Sequence, residues 1–279
     1  MRISLDELID RIYENKKSLI EDECRYSLIC GKRKQKLIRS EGWNHEIDGL
    51  VKLFEKENED SHLCSYLLEN GDFAKTLFFK ELNGTAKKEM RKHIKNEVTQ
   101  IKDTFNTLYR LYGSSKKIAL SQILGILKNV DDYAQLRFNP VIIRGGRYVP
   151  PESYYEIENE LRRFEDEILN NEGIPEIKKA FHIHYQFVRI HPLRDGNGRS
   201  ARVWSNAYLY HKSIFPIIIP LGERDWYAEL LDKACLSHRR NKKLTYLTSE
   251  EKELFKYFAI KINNEYEKYF TQRLMRIIK

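Results

Sequence analysis

Chain breakers are scarce in this sequence: 13 glycines and 7 prolines punctuate 279 residues, about 7% where roughly 12% is usual. A chain so seldom interrupted, and rich in Lys, Glu, Leu and Ile, is built for long helices. Hydrophobic residues make up 41%, enough for the core of one large domain or two modest ones, and they exclude a disordered chain. An all-β sandwich and a collagen-like chain are excluded as well.

Forty-nine Lys and Arg against 41 Asp and Glu leave a net charge of +8, which suits anionic partners such as nucleotides, nucleic acid or acidic proteins. Glu is interspersed with Lys along most of the chain, so a basic cluster taken alone reads as a solvated helix face. The basic run from Lys87 to Lys95 lacks the aromatic side chains on which bases stack, so nucleic acid is not the expected partner. Cys24, Cys30, Cys64 and Cys235 form no Cys-x-x-Cys pair and read as reduced thiols in a cytosolic protein. Met1 to Glu7 carries acidic residues where a signal peptide needs an apolar run. The most apolar stretch, Ile214 to Leu221, is short and broken by Pro216 and Pro220. Neither spans a bilayer, and a soluble protein without a membrane partner is expected.

Helical periodicity begins at once, with Leu5, Leu8, Ile9 and Ile12 at spacings of three and four, and recurs at Leu50, Leu53 and Phe54. Asn70-Gly71-Asp72 and Asn83-Gly84-Thr85 read as turns, and Thr85 to Tyr112 as an exposed helix with one apolar stripe of Ile94, Val98, Ile101, Phe105 and Leu108. The texture changes after Leu136. Phe138 to Pro150 carries a β-branched run that meets Gly145-Gly146, a two-residue loop of the kind primed hairpin turns need, with Pro140 and Pro150 limiting pairing at the ends. It predicts a small β-hairpin flap on a helical body. Helices resume near Ser153. Ile177 to Ile190 places Ile177, Ala180, Phe181, His184, Phe187 and Val188 on one core face. Further helices begin near Arg199 and Asp225, and the last at Thr248, where Thr248 and Glu251 form a capping box.

The most informative stretch is Ile190-His191-Pro192-Leu193-Arg194-Asp195-Gly196-Asn197-Gly198-Arg199-Ser200-Ala201-Arg202. An apolar helix ends, a polar turn with two glycines follows, and a helix resumes. Such a turn exposes backbone N–H groups at the positive end of the new helix, and Gly196 and Gly198 let the backbone approach an anion closely. Arg199 and Arg202, three apart, project from one face of the first turn. Cations at a helix start oppose the dipole, so two there predict an anion between them, and polyphosphate suits the planar forks of arginine. Asp195 is a hard oxygen ligand suited to Mg²⁺, and His191 is the group able to take a proton near neutral pH. Base, metal ligand, anion-binding turn and paired arginines together predict phosphoryl or nucleotidyl transfer. His182 and His184 point to different sides of their helix and make no metal cluster with His191, and His184 reads as a core histidine.

His191 to Arg202 resembles the Fic motif, His-x-Phe-x-(Asp/Glu)-Gly-Asn-Gly-Arg-x-x-Arg. Arg137, Val141, Ile143, Gly145 and Tyr148-Val149-Pro150-Pro151 resemble the flap found upstream in Fic proteins. His184-Tyr185-x-Phe187-x-x-Ile190 resembles the helix entering the motif, and Arg224-x-x-Tyr227 a segment following it. The similarity covers roughly residues 117 to 236. One departure is Leu193 where the family has Phe, an apolar anchor under the loop. The resemblance implies a mainly α fold, a Fic-type helical bundle with a small β-hairpin flap over the active site. It divides the chain into a helical N-terminal region (1–116), a Fic catalytic core (117–240) and a C-terminal helix packed on the core (241–279).

The resemblance further implies a protein adenylyltransferase that moves AMP from ATP to a Ser, Thr or Tyr hydroxyl of a target protein, with ATP and Mg²⁺ required. Carried over by position, His191 would deprotonate the acceptor and Asp195 would hold Mg²⁺ against the α- and β-phosphates. Gly196, Asn197 and Gly198 would line the anion hole, Arg199 would bind near the β-phosphate, and Arg202 would orient the γ-phosphate. The flap residues Val141, Ile142, Ile143, Arg144 and Gly145 would position the target by main-chain pairing. Fic enzymes are often restrained by a helix of pattern (Ser/Thr)-x-x-x-Glu-(Gly/Asn). Lys17 to Asp22 fits it in part, with Glu21 as the residue that would restrain Arg202, while Tyr26 to Gly31 carries Cys30 at the Glu place. A non-catalytic nucleotide-binding protein of the same fold, or a relative that removes AMP or uses another nucleotide, are the competing readings. Self-modification, a homo-oligomer, and location in the cell's own cytosol or a host's are all compatible with the sequence.

Overall fold

The computed structural model describes residues 3–29, 84–114, 118–130, 134–143 and 146–277. Its helices are α1 (Leu5–Ile29), α2 (Gly84–Gly113), α3 (Leu120–Leu127), α4 (Tyr154–Phe164), α5 (Glu176–Ile190), α6 (Asn197–His211), α7 (Arg224–Ser237) and α8 (Ser249–Ile277). A π-turn at Glu165–Leu169 continues α4, and a 3-10 turn at Leu221–Glu223 leads into α7. The expected helices near Ser153, Arg199, Asp225 and Thr248 are all present within two residues of their predicted starts. Leu50, Leu53, Phe54 and the Asn70-Gly71-Asp72 turn lie outside the described residues.

Two helices form the centre. α5 is buried not on one face but all round: His182, Tyr185, Gln186 and Arg189 are as inaccessible as Phe181 and Phe187. A helix in that position must find partners for its polar groups. Arg189 is paired with Glu160 of α4, and its Nε donates to Gln186 Oε1 at 2.8 Å. The Tyr185 hydroxyl donates to Glu251 Oε1 at 2.7 Å. α6 crosses beside α5, with Trp204 wedged edge-on between Phe164 and Phe187 at 5.6 Å from each ring. Its indole N–H donates to the Tyr112 hydroxyl at 2.6 Å, fastening α2 to the pair. The predicted stripe of α2 is confirmed where its side chains are described, with Ile101, Phe105 and Leu108 buried.

α1 and α8 pack against one another on the outside, joined by Asn15–Asn263 at 3.2 Å, with Leu8 and Ile12 buried as the periodicity requires. The capping boxes at Ser153/Glu156 and Thr248/Glu251 both form. Among the described residues no helix is long and apolar enough to cross a membrane.

The flap departs from the hairpin predicted for Phe138 to Pro150. Its described residues, 138–143 and 146–150, form no ladder with one another, and Gly146 N–H donates to Ile143 O at 3.1 Å. The one bridge among the described residues pairs Leu136 with Leu193 of the motif loop. Side chains from elsewhere take the backbone groups that a partner strand would have satisfied. The Arg137 guanidinium donates to the carbonyls of Asn139 (2.9 Å), Pro151 (2.6 Å), Ile190 (3.4 Å) and His191 (2.6 Å). Asp232 takes the amides on the other arm. Arg137 is 1% exposed, so truncating it orphans several buried carbonyls at once. Arg137→Ala is expected to lower unfolding stability by about 3–5 kcal/mol, read from urea denaturation; a loss below about 1 kcal/mol would show that water replaces the guanidinium without penalty.

Candidate active site

α5 stops at Ile190 because Pro192 has no N–H with which to continue it. His191 caps the helix in the left-handed region (φ 53°, ψ 55°), its N–H donating to Phe187 O at 3.0 Å while its carbonyl accepts from Arg137. A non-glycine residue in that region is mildly strained, and here it is held from both sides. The ring is fixed too: Nδ1 lies 3.3 Å from the Val188 carbonyl. A carbonyl only accepts, so this contact puts the proton on Nδ1 and leaves Nε2 with its lone pair.

The loop beyond is pinned to the segment before the flap, Arg137 N–H donating to Pro192 O at 3.0 Å and Arg194 N–H to Gln135 O at 2.8 Å. Leu193, in the place of the expected Phe, is fully buried and serves as the apolar anchor. Asn197 closes a ring around it, accepting from Leu193 N–H at 2.9 Å and donating to Leu193 O at 2.8 Å. Both ends of that amide are thus engaged by the loop itself. Gly196 precedes α6 with φ 73°, a conformation suited to glycine, and no side chain caps the helix. Backbone N–H groups of the first turn therefore border the space in front of α6.

That space opens into a cavity of about 650 Å³ whose walls come from three elements. The motif side supplies Val188, His191, Gly198 and Arg202; the flap supplies Ile143, Gly146, Arg147 and Tyr148; α7 supplies Arg224, Asp225, Tyr227, Glu229, Asp232 and Cys235. Of the predicted site residues, the structure brings His191, Gly198, Arg202 and Ile143 to this one cavity. Asn197 and Arg199 are buried behind the loop, and Gly196 forms the turn. Asp195 sits at the loop's outer edge, its side chain 65% exposed and Oδ1 3.9 Å from Arg199 Nη2. Ile142 points to solvent at 90% exposure and Val141 is half-buried, while Arg144 and Gly145 lie outside the described residues. Glu21 belongs to α1, but its side chain lies outside the described residues. The described part of α1 contacts α8 and, through Lys16–Glu176 at 3.0 Å, the end of α5 opposite His191.

The acidic stripe of α7, Asp225, Glu229 and Asp232, went unpredicted. Its spacing of four and three does put the carboxylates on one helix face, but that pattern is equally a solvated stripe until the neighbour is known. Burial pushes the Cys235 thiol up, so no thiolate faces the cavity at neutral pH. Behind Arg202, His184 Nε2 lies 2.6 Å from the Tyr227 hydroxyl, and burial, reinforced by the Arg202 charge, lowers the imidazole to about 3. His184 is the core histidine expected. Burial lowers His182 to about 3 as well. No group of three or more metal-ligating side chains occurs among the described residues.

Residues 99–209 match the Fic/DOC family. The matched segment is similar to Fic/DOC domains. It is 32% identical over 130 residues to the protein adenylyltransferase Fic of Nematostella vectensis, a match covering 44% of this chain and 30% of that protein. Against protein adenylyltransferase fic-1 of Caenorhabditis elegans it is 34% identical over 109 residues, 38% of this chain and 21% of the relative. The matched region thus spans less than a third of either relative. Among solved structures, a Fic domain containing signaling protein from Bacteroides thetaiotaomicron aligns with TM-score 0.64 and 18% identity over 93% of this chain and 94% of that one. The C. elegans Fic-1 fragment aligns with TM-score 0.58 and 20% identity, covering 97% and 84%. These alignments extend the Fic fold well beyond the matched segment on both sides.

His182 and His184 supply a pH signature separate from His191. Their folded values, about 3, lie below the ordinary 6.5, so the unfolded chain binds more protons between those limits. Stability is therefore full above pH 6.5 and falls as the pH drops toward 3, by about 1.4 kcal/mol per pH unit for each histidine. Urea midpoints taken from pH 7 to 4 should show that slope and His184→Gln should halve it; NMR resonances of either ring that titrate between pH 5 and 8 would contradict it.

Proposed function

We propose that this protein is a protein adenylyltransferase that transfers AMP from ATP to the hydroxyl of a Ser, Thr or Tyr side chain on a target protein. The observation that carries the reading is the placement of His191 on the same cavity wall as Arg202 and the first turn of α6, its Nδ1 against Val188 O and its Nε2 left as the basic atom. The names of the relatives support the same reaction class.

In that reaction the acceptor oxygen attacks the α-phosphorus, its proton passes to His191 Nε2, and the bond to the β-phosphate oxygen breaks to release pyrophosphate. The N–H groups at the start of α6, around Gly196 and Gly198, meet charge developing on the α-phosphate oxygens. Arg202 faces the cavity and holds the outer phosphates; Arg199 supports them from behind the loop near Asp195. Asn197 acts through the loop, fixing the path along which those N–H groups lie.

The donor set fits Mg²⁺ bound mainly by phosphate and water: one exposed carboxylate, Asp195, beside the loop and, among the described residues, no all-protein cage. Asp195 would hold the ion, which when bound neutralises phosphate charge. The flap, with Ile142 exposed on it, is the surface on which the target would lie. Self-modification follows from the same chemistry if the chain's own hydroxyls reach the site.

The test is incubation with Mg²⁺ and α-labelled ATP in cell lysate. Wild type should label a protein band, and His191→Ala should reduce the labelling by about 10²–10⁴-fold while still binding ATP. Binding without any labelling by the wild type would instead favour a nucleotide-binding interaction protein. Labelling from CTP, GTP or UTP in place of ATP would change the nucleotide assignment.

A further inference from the structure

Among the described residues the flap has no partner strand, and the backbone amides of its second arm are taken by one side chain. Asp232 of α7 receives the N–H of Arg147 and the N–H of Tyr148 on the same oxygen, Oδ1, each at 2.8 Å. Its other oxygen lies 3.5 Å from Arg147 Nε. The carboxylate is 15% exposed, whereas the Arg147 side chain is 75% exposed, so the anchor is inside and the anchored arm outside. Gly146 completes the joint: a Cβ there would stand 3.1 Å from Asp232 Oδ1, and the missing side chain is what lets the arm approach. Arg137 clamps the ends of the flap at Asn139 and Pro151, but makes no bond to the cavity-lining stretch Gly146 to Tyr148. The Tyr148 ring packs against the core, and the backbone amides of Arg147 and Tyr148 go to Asp232.

We infer that Asp232 is a positioning residue, a latch whose carboxylate fixes the cavity-lining arm of the flap against α7 and so sets the width of the mouth over His191. The acceptor rather than the nucleotide is expected to depend on it, because the latched backbone borders the mouth through which a protein side chain must enter. This last consequence rests on the transferase reading; the latch itself does not.

Hydrogen–deuterium exchange of the Arg147 and Tyr148 amides, with trypsin cleavage after Arg147, measures the latch without any activity. Asp232→Ala should speed both by about tenfold or more, because two bonds to a charged acceptor are lost, while α5 amides exchange as in the wild type. Asp232→Asn, which keeps an acceptor oxygen but loses the charge, should fall between. Gly146→Ala leaves α7 untouched and should loosen the same amides, so a loosened arm there cannot be ascribed to a damaged α7. Unchanged protection of Arg147 and Tyr148 in both Asp232→Ala and Gly146→Ala overturns the latch. On the transfer side, Asp232→Ala should raise KM for the acceptor by about tenfold and leave the affinity for α,β-methylene ATP within about threefold. A loss of nucleotide affinity as large as the loss of transfer would place Asp232 with the nucleotide and overturn the positioning role. If wild type transfers no label, the transferase reading fails, and exchange alone still decides the latch.

Discussion

The Arg137 guanidinium, buried in a cage of four backbone carbonyls, is the joint on which the site hangs. It binds the end of α5, the residue after it and both ends of the flap, segments that share no continuous hydrogen-bonded ladder. Arginine suits this place because its five donors lie in one rigid plane and reach acceptors spread more widely than the three donors on a single ammonium nitrogen can. By engaging the His191 carbonyl, Arg137 helps hold that residue in the left-handed conformation that turns the chain out of α5. The base of the proposed reaction is thus set by a joint between rigid elements rather than by a free loop, the condition for holding a catalytic group within a fraction of an ångström.

The far wall is tied to the core by a second polar chain. Glu251, 1% exposed, caps α8 through Thr248 N–H and accepts from the Tyr185 hydroxyl of α5, and its Oε1 lies 2.7 Å from His238 Nδ1 at the end of α7. Tyr185 also donates to Ala234 O within α7. α7 is therefore fixed against α5 at its C-terminal end. The His184–Tyr227 contact fixes it again nearer its start. With α7 fastened at both places, Asp232 has a firm base from which to hold the flap. Burial of polar groups in α5 is what couples these steps: Tyr185, His184 and Arg189 find partners on α7, α8 and α4, and those partners help determine where the neighbours lie.

The motif loop was legible because its chemistry is local: turn glycines, a helix start and paired arginines within twelve residues carry their own meaning. Leu193 reads correctly as an anchor for the same reason. What depends on distant partners was not legible. Ile177 to Ile190 shows a 3.6-residue apolar rhythm that predicts one core face. The polar residues between, His182, Gln186 and Arg189, are nonetheless buried because α4, α7 and α8 cover the other faces. The flap carries strand-forming residues and a two-glycine loop, so local propensity points to a hairpin. Arg137, two and fourteen residues away from the carbonyls it binds, and Asp232, more than eighty residues away from its amides, satisfy its backbone instead. Asp225, Glu229 and Asp232 sat in plain view as charge on a helix, and only the placement of α7 turns that stripe into a cavity wall.

That wall gives the cavity an internal direction. α7 contributes three carboxylates and one arginine, whereas the motif side contributes Arg202, His191 and the uncapped start of α6. A space of about 650 Å³ is comparable in width to a Debye length at physiological salt, so the two sides remain electrostatically distinct even when solvated. An anion that enters is drawn toward Arg202 and the α6 N-terminus and repelled from Asp225 and Glu229. Groups that donate hydrogen bonds are favoured on the opposite side. A molecule with a polyphosphate at one end and hydroxyl and amino donors at the other therefore meets a cavity already polarised to accept it in one orientation, with its phosphates toward the His191 side.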